Sequence, residues 1–549
     1  MKNKAFSLSA CRAVRAVAIA ALFVMSMALN AAPVLQDLLT EPTSPTATPK
    51  VVPTIPVGKA LIFPVSAYDD TGRPLTFTVQ SSNPAIMARV RTGNPLLRIN
   101  VSHAAGTDPA VDPAYSGTLV FQLFRDWTPM TAGFIGGFAQ SGYLDNTKFQ
   151  RLSDLNGNVG PAESLIYQGG GQANLGFNFE NEFRAPLLFS GRGQLAMANA
   201  GTDSNTYKGT NASQFFITHG NLARSTPPPP ESVIPLGGPR HLDFKHTVFG
   251  QLTHGWDVLN KFHNTPRDGD GPKVAVNIAS AGVSAQYDDG THIYTDAVLL
   301  LTAKDAGTAT ITVSVSDGVS EPVTSSFTAT AKPDTNNSAP FIIPPENSVG
   351  PKDKIFSVPL AKAVDLEYDY ISYASGLVNG SGTQGQSQQQ AALVYLLGKA
   401  GFVGTLHLAF GITQFEMSYR GTVDGPAADF SQLISVDIGV GDQKVKLEPV
   451  GVYARPGTAL TNATVAKFLD EDSHGGATAF TATINWGDGS AASTGTITPD
   501  TSRPVFAGAL VMGTHTYAKA GSYMVTTTIT GDKGFIRSVR GTATVSANA

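Results

Sequence analysis

The sequence predicts a mainly β protein that is divided into several modules. Glycine (56 residues) and proline (35) are abundant, charged residues make up only 15% of the chain, and threonine, serine and valine recur in short alternating runs. Alternation of apolar and polar residues is typical of half-buried strands, and glycine and proline provide the turns between them. At roughly 150 residues per domain, a chain of 549 residues that is 42% hydrophobic can form three or four domains, each with its own core.

Residues 1–31 have the features of an export signal. A basic start is followed by an apolar run from Ala16 to Leu29 and then by small residues. The run is short for a membrane span, so we expect a signal peptide that is cleaved after Ala31, with a retained membrane anchor as the alternative. We therefore expect an exported protein that is periplasmic, at the cell surface or secreted, and association with the cell envelope stays open.

Loss of this segment would make the mature chain acidic and free of thiols. The segment carries four basic residues and no acidic ones, so its removal would change the formal net charge from −4 to −8. We expect no nucleic-acid partner for an acidic protein, and no second apolar run predicts a membrane span. The single cysteine, Cys11, lies in the signal, so we expect neither disulfides nor a cysteine-ligated metal.

The segments on both sides of the central region predict β modules. Residues 32–56 are rich in proline and threonine and predict an extended linker. Within residues 57–95, residues 61–84 predict a hairpin or a strand–turn–strand unit, and within residues 285–332, residues 298–331 alternate around further glycine and aspartate turns. Neither segment is long enough to close a sandwich alone. We therefore predict that they form one bacterial immunoglobulin-like or cadherin-like module with the central region inserted between its strands. Residues 333–442 predict a second β-sandwich module.

Residues 443–549 contain a Trp-Gly-Asp-Gly-Ser segment, followed by His-Thr-Tyr and Gly-x-Tyr-x-Val. These motifs resemble the PKD family, which makes this the third immunoglobulin-like module. The Asp-Gly pair predicts a tight turn, and the aromatic residues are expected to fill a core. A calcium or carbohydrate site near Asp488 is the alternative reading. The residues that carry the resemblance are Trp486, Gly487, Asp488, Gly489, Ser490, His515, Thr516, Tyr517, Gly521, Tyr523 and Val525.

Residues 96–284 differ from their surroundings because they hold aromatic, arginine, glutamine and histidine residues in a set order. The motifs are GTLVFQLFRDWTPMTAGFI (117–135), KFQR (148–151), YQGGG (167–171), GQLAMANAG (193–201), NASQFFIT (211–218), HLDFKHTVFGQLTHGWDVL (241–259) and VAVNIASAG (274–282). In this order they resemble the cyclophilins, which are peptidyl-prolyl cis-trans isomerases. The resemblance implies an eight-stranded closed β-barrel with two capping helices, and isomerisation of X-Pro bonds in proline-containing polypeptides.

The resemblance also implies which residues form the site, a shallow groove on the barrel wall with a hydrophobic pocket for the substrate proline. It implies catalytic roles for Arg151, Gln168, Asn199, Gln214 and Phe216. It implies substrate contacts for Leu165, Ile166, Ala198, Ala200, His241, Leu242 and His246.

The implied chemistry needs few residues. Rotation about a peptide bond costs roughly 18–20 kcal/mol because resonance gives the bond double-bond character. No covalent bond breaks, so we expect no nucleophile, metal or cofactor. A guanidinium such as that of Arg151 can donate to the prolyl nitrogen as it loses resonance, and apolar walls exclude water. The glycines 169–171 lack the lysine and serine or threonine of a phosphate-binding loop.

Three departures from the family pattern leave a second function open. The segment 152–167 is longer than usual, His241 stands in place of a tryptophan, and a proline-rich loop (224–240) is inserted before the groove edge. The loop either occupies the groove or is a stiff surface loop. The histidine predicts weak inhibition by cyclosporin. The alternative to an active isomerase of exported proteins is a low-activity barrel that binds peptides or proteins on an adhesive or envelope-associated protein.

Overall fold

The structure is a computed structural model. It describes residues 32–36, 54–154, 165–171, 178–201, 209–220, 239–334, 337–345, 348–378, 381–415, 431–440, 445–470, 480–500, 507–531 and 536–546. The expected signal peptide (1–31), most of segment 152–167 and nearly all of the proline-rich loop lie outside these residues. Within the described part of the chain, no helix is long and apolar enough to cross a membrane.

The first strands form part of two facing sheets. They are β1 (Val34–Leu35), β2 (Thr54–Pro56), β3 (Ala60–Tyr68), β4 (Thr76–Ser81) and β5 (Ile86–Arg91). β1 and β2 lie within the range that the sequence predicts as a linker. β3 and β4 belong to different sheets, so the turn between them joins the two sheets and does not close a hairpin.

The central region forms a closed barrel, and the described residues include two α-helices. The barrel order is β10-β11-β9-β8-β15-β6-β7-β12. This confirms the predicted eight-stranded barrel with two helices. The elements are β6 (Leu96–His103), β7 (Tyr115–Leu123), α1 (Pro129–Gln140), β8 (Thr147–Asp154), β9 (Leu165–Gly170), β10 (Gln194–Met197), β11 (Gln214–Gly220), β12 (Val248–His254), α2 (Trp256–Asn264), β13 (Arg267–Asp268), β14 (Gly271–Pro272) and β15 (Val276–Ser284).

Helix α1 begins where the sequence and a distant carboxylate both favour a helix start. Pro129 occupies the first turn, where its missing N–H costs nothing. The Glu182 carboxylate accepts hydrogen bonds from the backbone N–H groups of Met130 and Thr131 at 3.1 and 2.7 Å. Burial raises the pKa of Glu182, and these hydrogen bonds oppose that effect. The apolar face of α1 packs Phe134 and Phe138 into the barrel core.

After the barrel, the chain returns to the first two sheets with β16 (Tyr287–Asp288), β17 (Ile293–Ala303), β18 (Gly307–Ser316) and β19 (Val323–Lys332). β17 pairs with β3 and β5, and β18 pairs with β4. Alternate residues of β18, from Ala309 to Val315, are buried in one core with Phe63 and Phe327. We call β1–β5 with β16–β19 the flanking sandwich. The chain on each side of the barrel thus contributes strands to the same two sheets.

The next unit, which we call the second module, follows a short connection. Its strands are β20 (Phe341–Ile343), β21 (Val349–Gly350), β22 (Phe356–Pro359), β23 (Lys362–Val364), β24 (Tyr370–Val378), β25 (Gly385–Gln390), β26 (Leu393–Gly398), β27 (Gly404–Phe415) and β28 (Ser431–Val440). The sheet β21-β28-β27-β24 and the sheet β22-β26-β25 enclose a core that includes Val358, Leu396, Leu408 and Phe410.

The last unit is an eight-stranded sheet in the order β29-β31-β34-β33-β32-β35-β36-β30. Trp486 is fully buried there, its Nε1 donates to Ser493 Oγ, and Tyr517 donates its hydroxyl to the Trp486 carbonyl. His515 stacks on Trp486 and binds the Asp488 carboxylate at 2.8 Å. The strands are β29 (Val445–Pro449), β30 (Val452–Ala454), β31 (Ala459–Asp470), β32 (Phe480–Asn485), β33 (Ser493–Pro499), β34 (Ala507–Thr516), β35 (Gly521–Gly531) and β36 (Ile536–Val545).

Candidate active site

The floor of the candidate groove is a row of side chains on neighbouring barrel strands. Arg151 on β8 is paired with Gln168 on β9, and Gln168 is paired with Phe216 on β11. Directly paired residues on antiparallel strands lie on the same face. The alternating residues Tyr167 and Phe215 point into the barrel core instead. The register therefore brings three of the predicted catalytic residues together on the outer wall.

A β-bulge directs Arg151 to that wall. The register of β8 against β9 shifts between Phe149 and Arg151, and both Phe149 and Leu152 are fully buried in the barrel core. Without the extra residue, Arg151 would share a face with Phe149, because strand side chains alternate with a period of two. The bulge keeps both apolar residues inside the barrel while the arginine faces out.

The Arg151 guanidinium is held by an acid that the sequence reasoning did not identify. Its Nε donates to Asp270 Oδ2 at 3.0 Å, and both side chains are substantially exposed. Asp270 lies in the turn between β13 and β14, and the Asp270 carbonyl accepts a hydrogen bond from the Leu152 N–H at 2.6 Å. The turn is therefore fixed to β8. No motif in the sequence distinguishes Asp270 from the other acidic turn residues around it.

The two predicted glutamines form a chain of amides beside the arginine. Gln168 Nε2 donates to Gln214 Oε1 at 3.1 Å, and Gln214 Nε2 donates to the Gly171 carbonyl at 3.2 Å. The backbone of Gln214 also accepts a hydrogen bond from the Ala198 N–H. These contacts orient both amides along the floor and connect it to the loop that follows β10.

The predicted proline pocket is apolar and continuous with the packing beneath it. Phe216 and Ile166 are buried in one cluster, with Ala198 and Leu242 packed against it. Phe189, which the sequence reasoning missed, stacks below Phe216 with ring centroids 5.7 Å apart. The cluster also includes Ile62 and Val298 of the flanking sandwich. The pocket is thus supported from outside the barrel.

His246 forms a neutral wall of the pocket. Its ring meets Phe216 edge-on, with centroids 5.4 Å apart, and its Nδ1 lies 2.9 Å from the Met197 carbonyl. A carbonyl accepts only, so Nδ1 carries the proton. Burial lowers the pKa of His246 to about 4. At neutral pH the imidazole is uncharged, which suits an apolar pocket.

The side chain of Asn199 stabilises the loop at residues 198–201 by hydrogen bonds. Its Nδ2 lies within 3.2 Å of Asn181 Oδ1, Asn211 Oδ1 and the Lys245 carbonyl, and its Oδ1 accepts from the Gly201 N–H. Of the loop's neighbours, Asn181 and Asn211 were not predicted. The exposed Ala200 donates its N–H to Thr210 Oγ1 at 2.9 Å. What Asn199 can offer a substrate is therefore its backbone.

The predicted edge residues lie in and around a 3₁₀ turn at Arg240–Leu242. His241 is exposed, Leu242 is half-buried, and desolvation lowers the pKa of His241. Leu165 opens β9, opposite Asp154. Of the remodelled segments, residues 155–164 and 221–238 lie outside the described part of the chain.

The second module packs against this edge. Arg240 binds Asp243 at 2.5 Å and Asp334 at 3.3 Å, and Lys59 of the flanking sandwich forms ion pairs with Asp334 and Glu367. These side chains are mostly buried, so they form an ionic junction between three units of the molecule.

An aromatic contact lies beside the ionic junction. Phe341 contacts Phe244 and Phe183 of the barrel, with ring centroids 4.5 and 6.1 Å apart. The segment that carries His241, Leu242 and His246 is therefore fixed on both sides by polar and apolar contacts.

Comparison with known proteins identifies relatives of the central region. Residues 110–283 match the family model described as "Cyclophilin type peptidyl-prolyl cis-trans isomerase/CLD". A "Peptidyl-prolyl cis-trans isomerase-like 1" of Neurospora crassa is 32% identical over 191 residues, which are 33% of this chain and 97% of that protein. The human protein of the same description is 32% identical over 153 residues, which are 26% of this chain and 73% of that protein.

Two further matches fall in the same central region. A "Peptidyl-prolyl cis-trans isomerase-like 2" of Gibberella zeae is 33% identical over 161 residues, which are 28% of this chain and only 22% of that protein. The crystal structure of a Cryptosporidium parvum cyclophilin type peptidyl-prolyl cis-trans isomerase aligns with 25% identity and a TM-score of 0.25, covering 34% of this chain and 96% of that chain.

Proposed function

Because this chain belongs to the cyclophilin-type peptidyl-prolyl cis-trans isomerase family, we propose that residues 96–284 isomerise X-Pro bonds of exported polypeptides with Arg151 as the catalytic donor. The observation that carries this proposal is the single row of Arg151, Gln168 and Phe216 across three hydrogen-bonded strands. The row sets a permanent cation beside an apolar pocket. That combination suits an amide whose nitrogen gains electron density as resonance is lost.

Arg151 would act on the prolyl nitrogen. When the C–N bond twists, the nitrogen pyramidalises and becomes a better hydrogen-bond acceptor, and a donor aimed at it stabilises the twisted state more than either planar isomer. The guanidinium remains charged and holds its donors in a rigid plane. Arg151 Nε donates a hydrogen bond to the Asp270 carboxylate. This contact at one edge of the guanidinium orients the guanidinium plane.

The apolar pocket would fix the pyrrolidine ring and keep water away from the twisting bond. Phe216 provides the floor, Ile166 and Leu242 contribute apolar surface, and neutral His246 closes one side. Exclusion of water strengthens the donor's interaction with the nitrogen. His246 acts here as a wall and no proton transfer is assigned to it.

The backbone of residues 198–200 would hold the residue that precedes the proline. This loop is fixed by the Asn199 side chain and by the bond from the Ala200 N–H to Thr210 Oγ1. A fixed preceding residue allows the other side of the bond to rotate. Lowering the barrier by about 7 kcal/mol corresponds to an acceleration of about 10⁵-fold.

The proposal is tested with the full chain and a proline-containing tetrapeptide in an isomerisation assay. Arg151→Ala should lower kcat/KM by about 10²–10³-fold, in the range of losing one stabilising donor. Arg89, an exposed arginine on β5 of the flanking sandwich, provides the control Arg89→Ala, which should be as active as the wild type. Equal rates for Arg151→Ala and the wild type would remove the proposed mechanism.

A peptide-binding module with little turnover is the second candidate function. The observation that favours it is the Asp270 carboxylate, which neutralises part of the charge at Arg151. In that case the wild type and Arg151→Ala would isomerise the tetrapeptide equally slowly, and both would still bind longer proline peptides.

We propose that this protein is exported because its N-terminus is basic and then apolar. Residues 96–284 would then act on other exported proteins. Mass spectrometry of the protein recovered from its producing cells tests this. We expect a mature chain that begins at Ala32. A chain that retains residues 1–31 would favour a membrane anchor.

We also propose that the barrel is a domain inserted into the flanking sandwich, as an immunoglobulin-like host. The pairing of β3 with β17 and of β4 with β18 supports this proposal. Residues 32–95, which include β1 and β2, fused directly to residues 285–332 should fold into a cooperative β unit. Failure of this fusion to fold would contradict the insertion.

A further inference from the structure

A cavity of about 680 Å³ lies between the barrel and the second module. On the barrel side it is lined by Asn199, Lys245 and His246, and on the other side by Ser372 and Ala374 of β24, with residues of β27 and β28. Its volume is within the range of pockets that hold small ligands, and it is open to solvent on one side.

The cavity continues the candidate groove. His246 lines the cavity with one part of its surface and contacts Phe216 of the proline pocket with another. Asn199 lies in the loop that would hold the residue preceding the proline, and Gly201 follows that loop. Both residues also line the cavity. A chain that leaves the pocket over this loop therefore enters the cavity.

The opposite wall is a sheet face on which four of the lining side chains are small, whereas Leu433, Tyr373 and Ile412, which also line it, are larger. Leu433, Gly411 and Ala374 are paired across β28, β27 and β24, and Thr413 is paired with Ser372 in the adjacent row. The alternating residues Phe410 and Ile412 fill the core of the second module. The face toward the barrel thus carries little bulk, which leaves room for an extended polypeptide.

The spacing of the two walls is fixed by contacts beside the cavity and by Phe244, which itself lines the cavity. Arg240 and Asp334 form the ionic junction, and Phe341 packs on Phe244. Because these contacts are preformed, a substrate would not have to order the walls on binding, which lowers the cost of association.

The lining selects by charge. Among the described residues that line the cavity, Lys245 is the charged one, since burial keeps His246 neutral and the remainder are apolar, hydroxyl or amide residues. Lys245 interacts electrostatically with Asp243, which lies outside the lining. A basic side chain in the cavity would still meet the like charge of Lys245 at the wall itself, whereas an acidic or uncharged side chain would not be repelled there.

We propose that the second module is the far wall of the substrate site, and that the cavity binds the residues that lie two to four positions before the proline, with preference for uncharged or acidic side chains. This inference rests on the proposed function of the groove. It assigns to the second module a role in choosing which prolines the barrel acts on.

The first test compares peptides of different length on the full chain. A tetrapeptide is extended by four uncharged residues, either before or after the proline, and binding and kcat/KM are measured for each. Extension before the proline should strengthen binding about tenfold, and extension after it should have little effect. No gain from the first extension, or an equal gain from both, would overturn the inference.

The second test fills the cavity. Ala374 is exposed and lines it, whereas Gly376 lies two residues further on the same strand face, outside the lining, with nothing within 4 Å of an added Cβ. Ala374→Trp should abolish the gain in binding from extension before the proline, and Gly376→Trp should retain it. Retention of the gain in Ala374→Trp would contradict the inference.

The third test reverses the charge. Lys245→Glu should convert a preference for glutamate over lysine before the proline into the opposite one, by up to about fivefold in each direction. Lys304→Glu, on the flanking sandwich, makes the same change in net charge and should leave the preference as it is. If Lys245→Glu keeps the preference for glutamate over lysine, the proposed selection by charge is contradicted.

These outcomes separate the inference from the proposed function. If the barrel has little turnover, Arg151→Ala will not reduce the rate further, but the binding gain and its loss in Ala374→Trp can still be measured. If the barrel is active and the inference is wrong, tetrapeptide turnover depends on Arg151 while extension and Ala374→Trp have no effect.

Discussion

The floor of the groove and its edge are held by different kinds of contact. The floor residues Arg151, Gln168 and Phe216 lie on adjacent strands of one closed barrel, so backbone hydrogen bonds within that barrel determine their spacing. The edge, residues 239–246, is a 3₁₀ turn and loop that is held by Asp334 of the connection after β19 and by Phe341 of the second module.

Under the proposed function, this difference separates the residues that act on the X-Pro bond from those that select the substrate. A barrel that retains its register retains its floor wherever it is placed in a longer chain, whereas the edge depends on what the barrel is attached to. We therefore expect changes at the floor to alter the reaction itself. Changes at the edge and junction should alter stability, pH response and the choice of substrate. Four measurements, in order of expected size, test this separation.

The largest effect is expected at the floor. Phe216→Ala removes a ring that is 2% exposed and stacks on Phe189, and it should lower the free energy of unfolding by about 3–5 kcal/mol. Turnover should be lost at temperatures at which the variant is still folded. Chemical denaturation and the tetrapeptide assay measure both. Normal turnover in a folded variant would show that this ring is not the pocket floor.

The junction should give the next effect. Asp334→Ala leaves Lys59 and Arg240 with one fewer carboxylate in a mostly buried network, and breaking such a network costs about 3 kcal/mol. We expect a lower unfolding transition temperature for the full chain. We also expect greater protease sensitivity where the barrel and the second module are in contact. Tetrapeptide turnover should stay normal. Loss of turnover would mean that the floor also depends on the junction.

His246 predicts a dependence of stability on pH. Burial lowers its pKa from 6.5 to about 4, so between these values the unfolded state binds a proton that the folded state does not. Stability is therefore retained above about pH 6.5 and falls as the pH is lowered toward 4, by at most about 3 kcal/mol.

In His246→Phe this part of the pH dependence should disappear. The pKa of Glu182 is raised, so its contribution to the pH dependence of stability has the opposite sign. Glu182 is present in both proteins, and its contribution therefore cancels when their stabilities are subtracted. Urea unfolding at several pH values measures the comparison. Parallel curves for the two proteins would mean that the folded state carries a protonated His246.

The smallest effect is expected for Asp270. Its ion pair with Arg151 is exposed on both sides, and exposed pairs contribute about 0–1 kcal/mol. Asp270→Asn should therefore change kcat/KM by less than about fivefold. It should also leave the salt dependence of stability nearly unchanged. A loss as large as that of Arg151→Ala would make Asp270 an essential positioning residue.

The sequence and the structure agree most closely where local pattern is sufficient. The order of seven motifs predicted the barrel, and period-two alternation in residues such as Ala309, Ile311 and Val313 predicted buried strand faces. The hairpin reading of residues 61–84 is wrong, because β3 and β4 join different sheets. A turn sequence favours a reversal of direction, but sheet pairing is decided by strands more than 200 residues away.

What the sequence by itself determined is the family of the central region and the residues that we propose for the groove floor, because motifs in fixed order carry that information. Only the tertiary structure decided how Arg151 faces the groove, since a bulge beside Phe149 sets its direction. It also decided that Asp270 holds the guanidinium, and that Ala374 and Lys245 line one cavity. These contacts join residues more than 100 positions apart, and no local pattern encodes such pairings. They arise when separate modules bury their apolar faces and pair their charges.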